Sequence, residues 1–223
     1  MRGTLRPVTT ISGSTLRHVG LLIWGVLSLA PLVYMISASL QSNQEIYQSV
    51  HLIPHALNWD NYVQAWQQAS FGTFFFNSVF YTVTIVLGTL VIGTLSAYAF
   101  ARLTFPGKNL AYYMFLAFLI IPIPGVFIPL YVLLVKLHLV NTRLGYILPM
   151  INSNLPVAIF ILRNFFEDVP RELEESALID GAGVFRIYRS IAIPLAMPAI
   201  ATITIFTALG TWNEFLLALI VFS

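Results

Sequence analysis

The run Ser78–Ala101, SVFYTVTIVLGTLVIGTLSAYAFA, decides the fold. It carries no charged side chain from end to end. A helix needs about 20 apolar residues to cross a hydrocarbon layer of about 30 Å, and this run exceeds that. Gly88 and Gly93 within it allow another helix backbone to come close. The same pattern recurs on both sides. Val19–Ser37 precedes it, with Pro31 inside. Leu110–Leu130, Leu144–Leu162 (bounded by Arg143 and Arg163) and Ile191–Trp212 (entered through Pro194 and Pro198) follow. No alternation of apolar and polar residues recurs at barrel spacing, which disfavours a β-barrel. The expected class is therefore all-α, a polytopic transmembrane helix bundle with five spans.

Composition agrees. Of the 223 residues, 58% are apolar and 9% charged, and the mean hydropathy is +0.83. Soluble domains carry roughly 25% charged residues, so lipid must be the main solvent here. Net charge is only +2 and no basic stripe with interleaved aromatics occurs, which argues against nucleic-acid binding. There is no cysteine. His18, His51, His55 and His138 are scattered, so no metal site is expected. The chain also lacks a Gly-x-x-x-x-Gly-Lys-Ser/Thr run, so it is expected to bind no ATP and no cofactor of its own.

Lys and Arg set the orientation. With the N-terminus in the cytoplasm, nine of the eleven fall inside: Arg2, Arg6, Arg17, Arg102, Lys108, Arg163, Arg171, Arg186 and Arg189. Only Lys136 and Arg143 fall outside. Residues 1–18 then form a cytoplasmic N-terminal segment, and 19–223 a transmembrane domain. Val19–Ser37 is read as a retained helix, because no small-residue cleavage site closes it. The stretch 41–77 has no Lys or Arg and reads as an external loop, with Trp59, Tyr62 and Trp66 suited to an interface. Pro122, Pro124 and Pro129 are expected to end the third span and turn the chain into a short surface helix, 129–139. Asn152 and Asn154 lie in the fourth span. They either hydrogen-bond a neighbouring helix or line a translocation pathway.

The internal segment 163–194 is the longest polar one. Pro170 suits a helix start, and Glu172, Glu174 and Glu175 suit the positive end of its dipole. Gly181 and Gly183 break that helix. Val184, Ile187, Tyr188 and Ile191 then recur at helical spacing. The product is a helix–glycine–helix elbow with an apolar knuckle that needs a partner.

Glu175-Ser176-Ala177, Gly181 and Ile191-Ala192-Ile193-Pro194 fit a known spacing. They resemble the Glu-Ala-Ala motif of permease subunits of binding-protein-dependent ABC importers, with Ser176 in place of the first Ala and Ile193 in place of Leu. Val169-Pro170-Arg171-Glu172-Leu173, Ala97-Tyr98-Ala99-Phe100-Ala101-Arg102 and Asn58-Trp59-Asp60-Asn61-Tyr62 resemble the carbohydrate-uptake branch, in its G-like (maltose or glycerol-phosphate) permease type. So does Trp212-Asn213-Glu214-Phe215.

The resemblance implies a type I permease in a bacterial or archaeal plasma membrane. It would pair with a second permease, dock a separate ABC ATPase dimer that holds ATP and Mg, and receive a sugar or similar solute from an extracytoplasmic binding protein. It implies that Glu175 pairs with basic groups of the ATPase, that Ser176, Ala177 and Gly181 let the helix seat closely, and that Asp180 caps the second helix. Phe185 and Tyr188 would fill apolar hollows. Asn213 and Glu214 are candidates for touching the binding protein, although an exposed loop carboxylate is the plainer account of Glu214. Family members have six spans, whereas the last run here, Phe215–Phe222, is too short to cross, so the sixth is expected to be missing. A stand-alone secondary transporter or channel is the alternative. It is less suited, because none of the five spans contains a charged residue for ion coupling.

Overall fold

The computed structural model describes residues 11–48, 53–68, 70–120 and 123–222, and among these every regular element is helical. The expectations placed on Arg2, Arg6, His51 and Pro122 lie outside the described residues. Two compact units divide the chain, Met1–Phe74 and Phe75–Ser223.

In the first unit, α1 (Ile11–Ser39) carries Pro31 inside it. From Arg17 to Ser39 it is long and apolar enough to cross a membrane. Leu22, Trp24, Leu27 and Met35 all stand exposed, as befits a helix solvated by lipid or by another subunit. Its end is tied down by side chains. Ser39 Oγ and Tyr62 Oη lie 2.7 Å apart, and Asn61 Nδ2 donates to the carbonyls of Ser39 (3.0 Å) and Gln41 (2.9 Å). Helix α2 (Asn43–Gln48) opens with a capping box. The Ser42 N–H donates to Glu45 at 3.1 Å, and the Glu45 N–H donates to Ser42 Oγ at 3.4 Å. Helix α3 (Asp60–Gln68) follows.

The second unit is built on α4 (Phe71–Arg102) and α7 (Arg143–Asp168), both long and apolar enough to span. Helix α4 starts at Phe71, seven residues before the span read from sequence, because uncharged Phe74, Phe75 and Phe76 extend its first turns. Ala97, Tyr98 and Ala101 of α4 share one apolar cluster with Ala158, Leu162 and Phe166 of α7. Ile85 of α4 shares another with Tyr146, Ile147 and Met150. Early residues thus pack with early and late with late, so the two helices run parallel. The glycines read as contact points are contact points. A Cβ on Gly88 would come within 2.4 Å of Ile151 Cδ1, and one on Gly93 within 3.3 Å of Ala158 Cβ.

Parallel neighbours require a return path between them. The expected third span, Leu110–Leu130, supplies it in pieces rather than as one helix. Helix α5 (Lys108–Ala117) ends before Pro122, a 3₁₀ turn covers Ile123–Val126, and α6 (Phe127–Lys136) follows. Each ten-residue helix is about 15 Å long, half a membrane. The cause is local. Proline offers no N–H and its ring strikes the carbonyl four residues earlier, so Pro124 closes off Ile120 to helix. Tyr112 of α5 packs by Phe100 and Ile159 at one end of the bundle, and Leu134 of α6 by Ile85 and Tyr146 at the other. The surface helix expected at 129–139 is α6, shifted toward the N-terminus.

The expected fifth span is also bent. The helical stretch Val184–Leu195 meets α11 (Met197–Trp212) at 74°. Pro194 and Pro198 flank the break, and each removes one hydrogen bond from the ladder. A last helix, α12 (Leu216–Val221), buries Leu217 and Val221 against Leu134 and Tyr146.

Candidate functional site

The elbow begins where α7 stops. A residue before proline is disfavoured in the helical region, and Val169 before Pro170 is extended (φ −67°, ψ 129°). Helix α8 (Arg171–Ile179) follows, with Pro170 at its cap and Glu172 and Glu174 in its first turn. Its end is a Schellman motif. The Ala182 N–H donates to the Ala177 carbonyl at 2.9 Å, and the Gly181 N–H to the Leu178 carbonyl at 3.0 Å. Gly181 sits at φ +79°, the left-handed position that motif demands.

Helix α9 (Val184–Ile187) starts from Gly183, whose carbonyl accepts from Arg186 at 2.9 Å and Ile187 at 3.1 Å. One π turn, Tyr188–Ala192, joins it to α10 (Ile193–Leu195). Asp180 does not cap α9. It closes α8, its N–H donating to Ser176, and Gly183 holds the position before α9.

The candidate residues separate by direction. Glu175, Leu178, Ile179 and Val184 face out, with Ile179 87% and Phe185 68% exposed. No residue of α8 is buried. Between α8 and the second arm lies an open hollow of about 250 Å³, lined by Ala177, Asp180, Ala182, Arg186, Ser190 and Ile191. Small side chains at 177 and 182 keep it open. Ser176 Oγ is satisfied at home, donating to the Leu173 carbonyl at 3.0 Å. Within the chain Gly181 meets nothing, and its left-handed φ makes the turn.

Tyr188 departs from the expectation that it fills a hollow in a partner. Its hydroxyl lies 2.8 Å from Thr94 Oγ1, and its ring packs 5.3 Å from that of Tyr98. It joins the elbow to α4, leaving Phe185 as the outward aromatic.

The groups that hold the elbow are Arg102, Glu174 and Tyr98. Arg102 Nε lies 2.9 Å from Glu174 Oε1, with the two side chains 5% and 14% exposed. Arg102 also donates through Nη2 to the Val169 carbonyl, and the Tyr98 hydroxyl donates to Glu174 Oε2 at 3.4 Å. In the sequence Arg102 reads only as a charge that closes a span. Its partner is distant in the chain, and periodicity carries no signal for such a pair.

Asn152 is exposed on α7, while Asn154 is half-buried and donates to the Met150 carbonyl at 2.7 Å. Asn213 is exposed and donates to the Leu209 carbonyl at 2.8 Å. Glu214 is half-buried and accepts from the Leu217 N–H at the start of α12, so it is no free loop carboxylate. Among the described residues no group of three His, Asp or Glu comes together to hold a metal.

Residues 89–223 match the family described as "Binding-protein-dependent transport system inner membrane component". The chain is 37% identical, over 92% of its length and 68% of the relative's, to the diacetylchitobiose uptake system permease protein NgcG of Streptomyces coelicolor. It is 34% identical to the arabinooligosaccharides transport system permease protein AraQ of Halalkalibacterium halodurans, over 93% of this chain and 75% of that one. It is 32% identical to the sn-glycerol-3-phosphate transport system permease protein UgpE of Yersinia enterocolitica, over 92% and 75%. A crystal structure of a bacterial ABC transporter involved in the import of the acidic polysaccharide alginate contains a chain that superimposes with a TM-score of 0.87 at 27% identity. The match covers 98% of this chain and 78% of that one.

Proposed function

The chain belongs to the inner membrane components of binding-protein-dependent transport systems, and from that premise we propose that it passes an oligosaccharide or related sugar across the membrane, driven through its elbow by a docked ATPase. As a permease subunit of an ABC importer it works with a solute-binding protein and with a separate ATPase subunit that hydrolyses ATP. That membership sets aside the stand-alone transporter or channel. The sugar reading rests on the relatives, whose names specify diacetylchitobiose and arabinooligosaccharides. ATP and Mg belong to the partner in this reading, and the N-terminus and elbow face the cytoplasm.

The observation that carries the docking assignment is the elbow's outer face. Leu178 and Ile179 of α8, which has no buried residue, and Val184 and Phe185 of α9 form an apolar knuckle beside exposed Glu175. Apolar surface arranged this way is stable only when covered. A cleft in the ATPase covers it, a basic group there pairs with Glu175, and a small side chain enters the hollow between Ala177 and Ser190.

A second permease completes the pathway. Leu148 and Asn152, one turn apart, stand exposed on α7, and an amide at membrane depth requires a polar neighbour. Asn152 supplies the lining toward the second subunit. Asn213, exposed at the far end of α11, is offered to the binding protein.

Co-purification tests the docking assignment. The ATPase is expected to stay with the wild-type chain and to be lost in Gly181→Asp and Glu175→Lys. Retention in both variants would sink it. The substrate class is tested separately, by identifying the ligand that co-purifies with the transporter's solute-binding protein. A ligand other than a saccharide or saccharide derivative overturns the sugar reading.

A further inference from the structure

We infer that Arg102 at the end of α4 is the post through which displacement of the elbow enters the membrane helices, with Glu174 as its hold on α8. This rests on the proposal that an ATPase docks on the elbow. It adds where the motion goes.

Helix α8 is otherwise weakly attached. A helix normally follows its neighbours because it buries an apolar face against them. Helix α8 buries none. Its covalent ends are a turn on each side, Val169–Pro170 before it and Asp180–Gly181 after it. Such a helix, pushed from outside, would pivot on those turns and dissipate the push.

Glu174 prevents that. It is the acidic residue of α8 that points inward. Its carboxylate meets Arg102 at 2.9 Å with both side chains largely withdrawn from solvent, and it accepts from the Tyr98 hydroxyl. Arg102 Nε makes no well-aligned hydrogen bond, so the link through that atom is ionic. Low exposure leaves an ion pair poorly screened, and its attraction is correspondingly larger than at an open surface.

The same guanidinium also binds the Val169 carbonyl, which is the hinge between α7 and α8. One side chain therefore holds both the hinge and the arm that swings from it. The second arm is tied to the same stretch of α4. Tyr188 reaches Thr94 through its hydroxyl and packs against the ring of Tyr98, and Tyr98 packs edge-on to Phe166 of α7 at 5.7 Å. Both arms of the elbow thus converge on Thr94, Tyr98 and Arg102, which lie four residues apart along one face of α4. Arg102 and Glu174 are positioning residues, since in this reading they act through the elbow.

The test uses the full transporter, with its second permease and ATPase, in nanodiscs. The chain has no cysteine, so with cysteine-free partner subunits, spin labels on Glu172→Cys (α8) and Leu95→Cys (α4) report a single distance. With Arg102 and Glu174 intact, that distance is expected to be the same before and after a non-hydrolysable ATP analogue is added, because α8 and α4 move as one body. In the double variant Arg102→Met with Glu174→Met, which leaves no charge unpaired, the resting distance is expected to hold. The nucleotide-bound distribution is expected to shift and broaden.

A nucleotide-bound distance that stays fixed in the double variant overturns the inference. So does a resting distance already displaced, or loss of the ATPase from the variant, because the pair would then shape the docking surface and not transmit from it. If the double variant does not assemble, Glu174→Gln is read by the same criteria. Loss of the ATPase from the wild-type chain would instead count against the docking proposal.

Discussion

Gly181 and Gly183 look interchangeable in the sequence, and the structure gives them different work. Gly181 is at φ +79°, while Gly183 is at φ −73° and ψ 159°, a conformation any residue adopts. A methyl group added at either position would meet no atom within 4 Å, so sterics outside the backbone do not distinguish them. Gly181→Ala therefore carries a left-handed backbone cost of about 1–2 kcal/mol, confined to the elbow. It is expected to weaken ATPase retention and to speed proteolysis between α8 and α9, with the bundle unchanged. Gly183→Ala is expected to match wild type in both measurements. The glutamates make the same point. Glu174 and Glu175 are adjacent and chemically alike, yet a rotation of about 100° per residue sends one to Arg102 and the other to the surface. The motif was legible in the sequence, and so was the need for glycine at its centre. Which carboxylate faces inward was not, because that depends on where α4 ends in space.

The elements were legible where apolar length alone decides them, and illegible where prolines cut them. Helices α1, α4 and α7 follow from uncharged runs. The third span is continuous in composition, but two parallel helices must be joined by a return, and that return is divided into α5 and α6 on either side of the turn that holds Pro124. The start of α7 hides a further requirement. Thr142 caps it by accepting from the Gly145 N–H at 3.1 Å, and a Cβ on Gly145 would lie 2.0 Å from the Leu139 carbonyl oxygen. Backbone cannot yield there as a side chain does. Gly145→Ala is expected to destabilise the chain by upwards of about 4 kcal/mol, read as loss of folded protein after detergent extraction. Helix α2 offers a milder test. The hydrogen bond from the Ser42 N–H outweighs the opposing desolvation and, with help from His55, holds the Glu45 carboxyl below its ordinary value of 4.5. A carboxyl whose folded value is lowered stabilises the fold above its unfolded value and loses that contribution as pH falls through the folded one. Exchange of the Ser42 and His55 amides is therefore expected to rise relative to neighbouring amides as pH drops below about 4.5, and to lose that dependence in Glu45→Gln.

At the scale of the whole molecule, orientation joins the charges to the function. Helices α4 and α7 run parallel and α11 runs back, since Ala199 and Ile203 share a cluster with Ala97 and Ala101 while Trp212 packs 5.8 Å from Phe75. The ends of α4 and α7, the elbow and the start of α11 therefore lie on one side of the bundle, and the end of α11 on the other. Arg102, Arg163, Arg171, Arg186 and Arg189 collect on the first side, and Arg143 on the second. Short loops rich in Lys and Arg stay in the cytoplasm. In the proposed orientation the elbow faces the cytosolic ATPase, and Asn213 the side from which solute arrives. Because the chain has no cysteine, single substitutions read this directly. Asn213→Cys is expected to react with a membrane-impermeant maleimide on intact spheroplasts. Ser176→Cys, exposed on α8, is expected to react only after permeabilisation. The reverse pattern would put the knuckle of Leu178, Ile179 and Phe185 beyond the reach of any cytosolic ATPase, and the docking assignment would fall with the orientation.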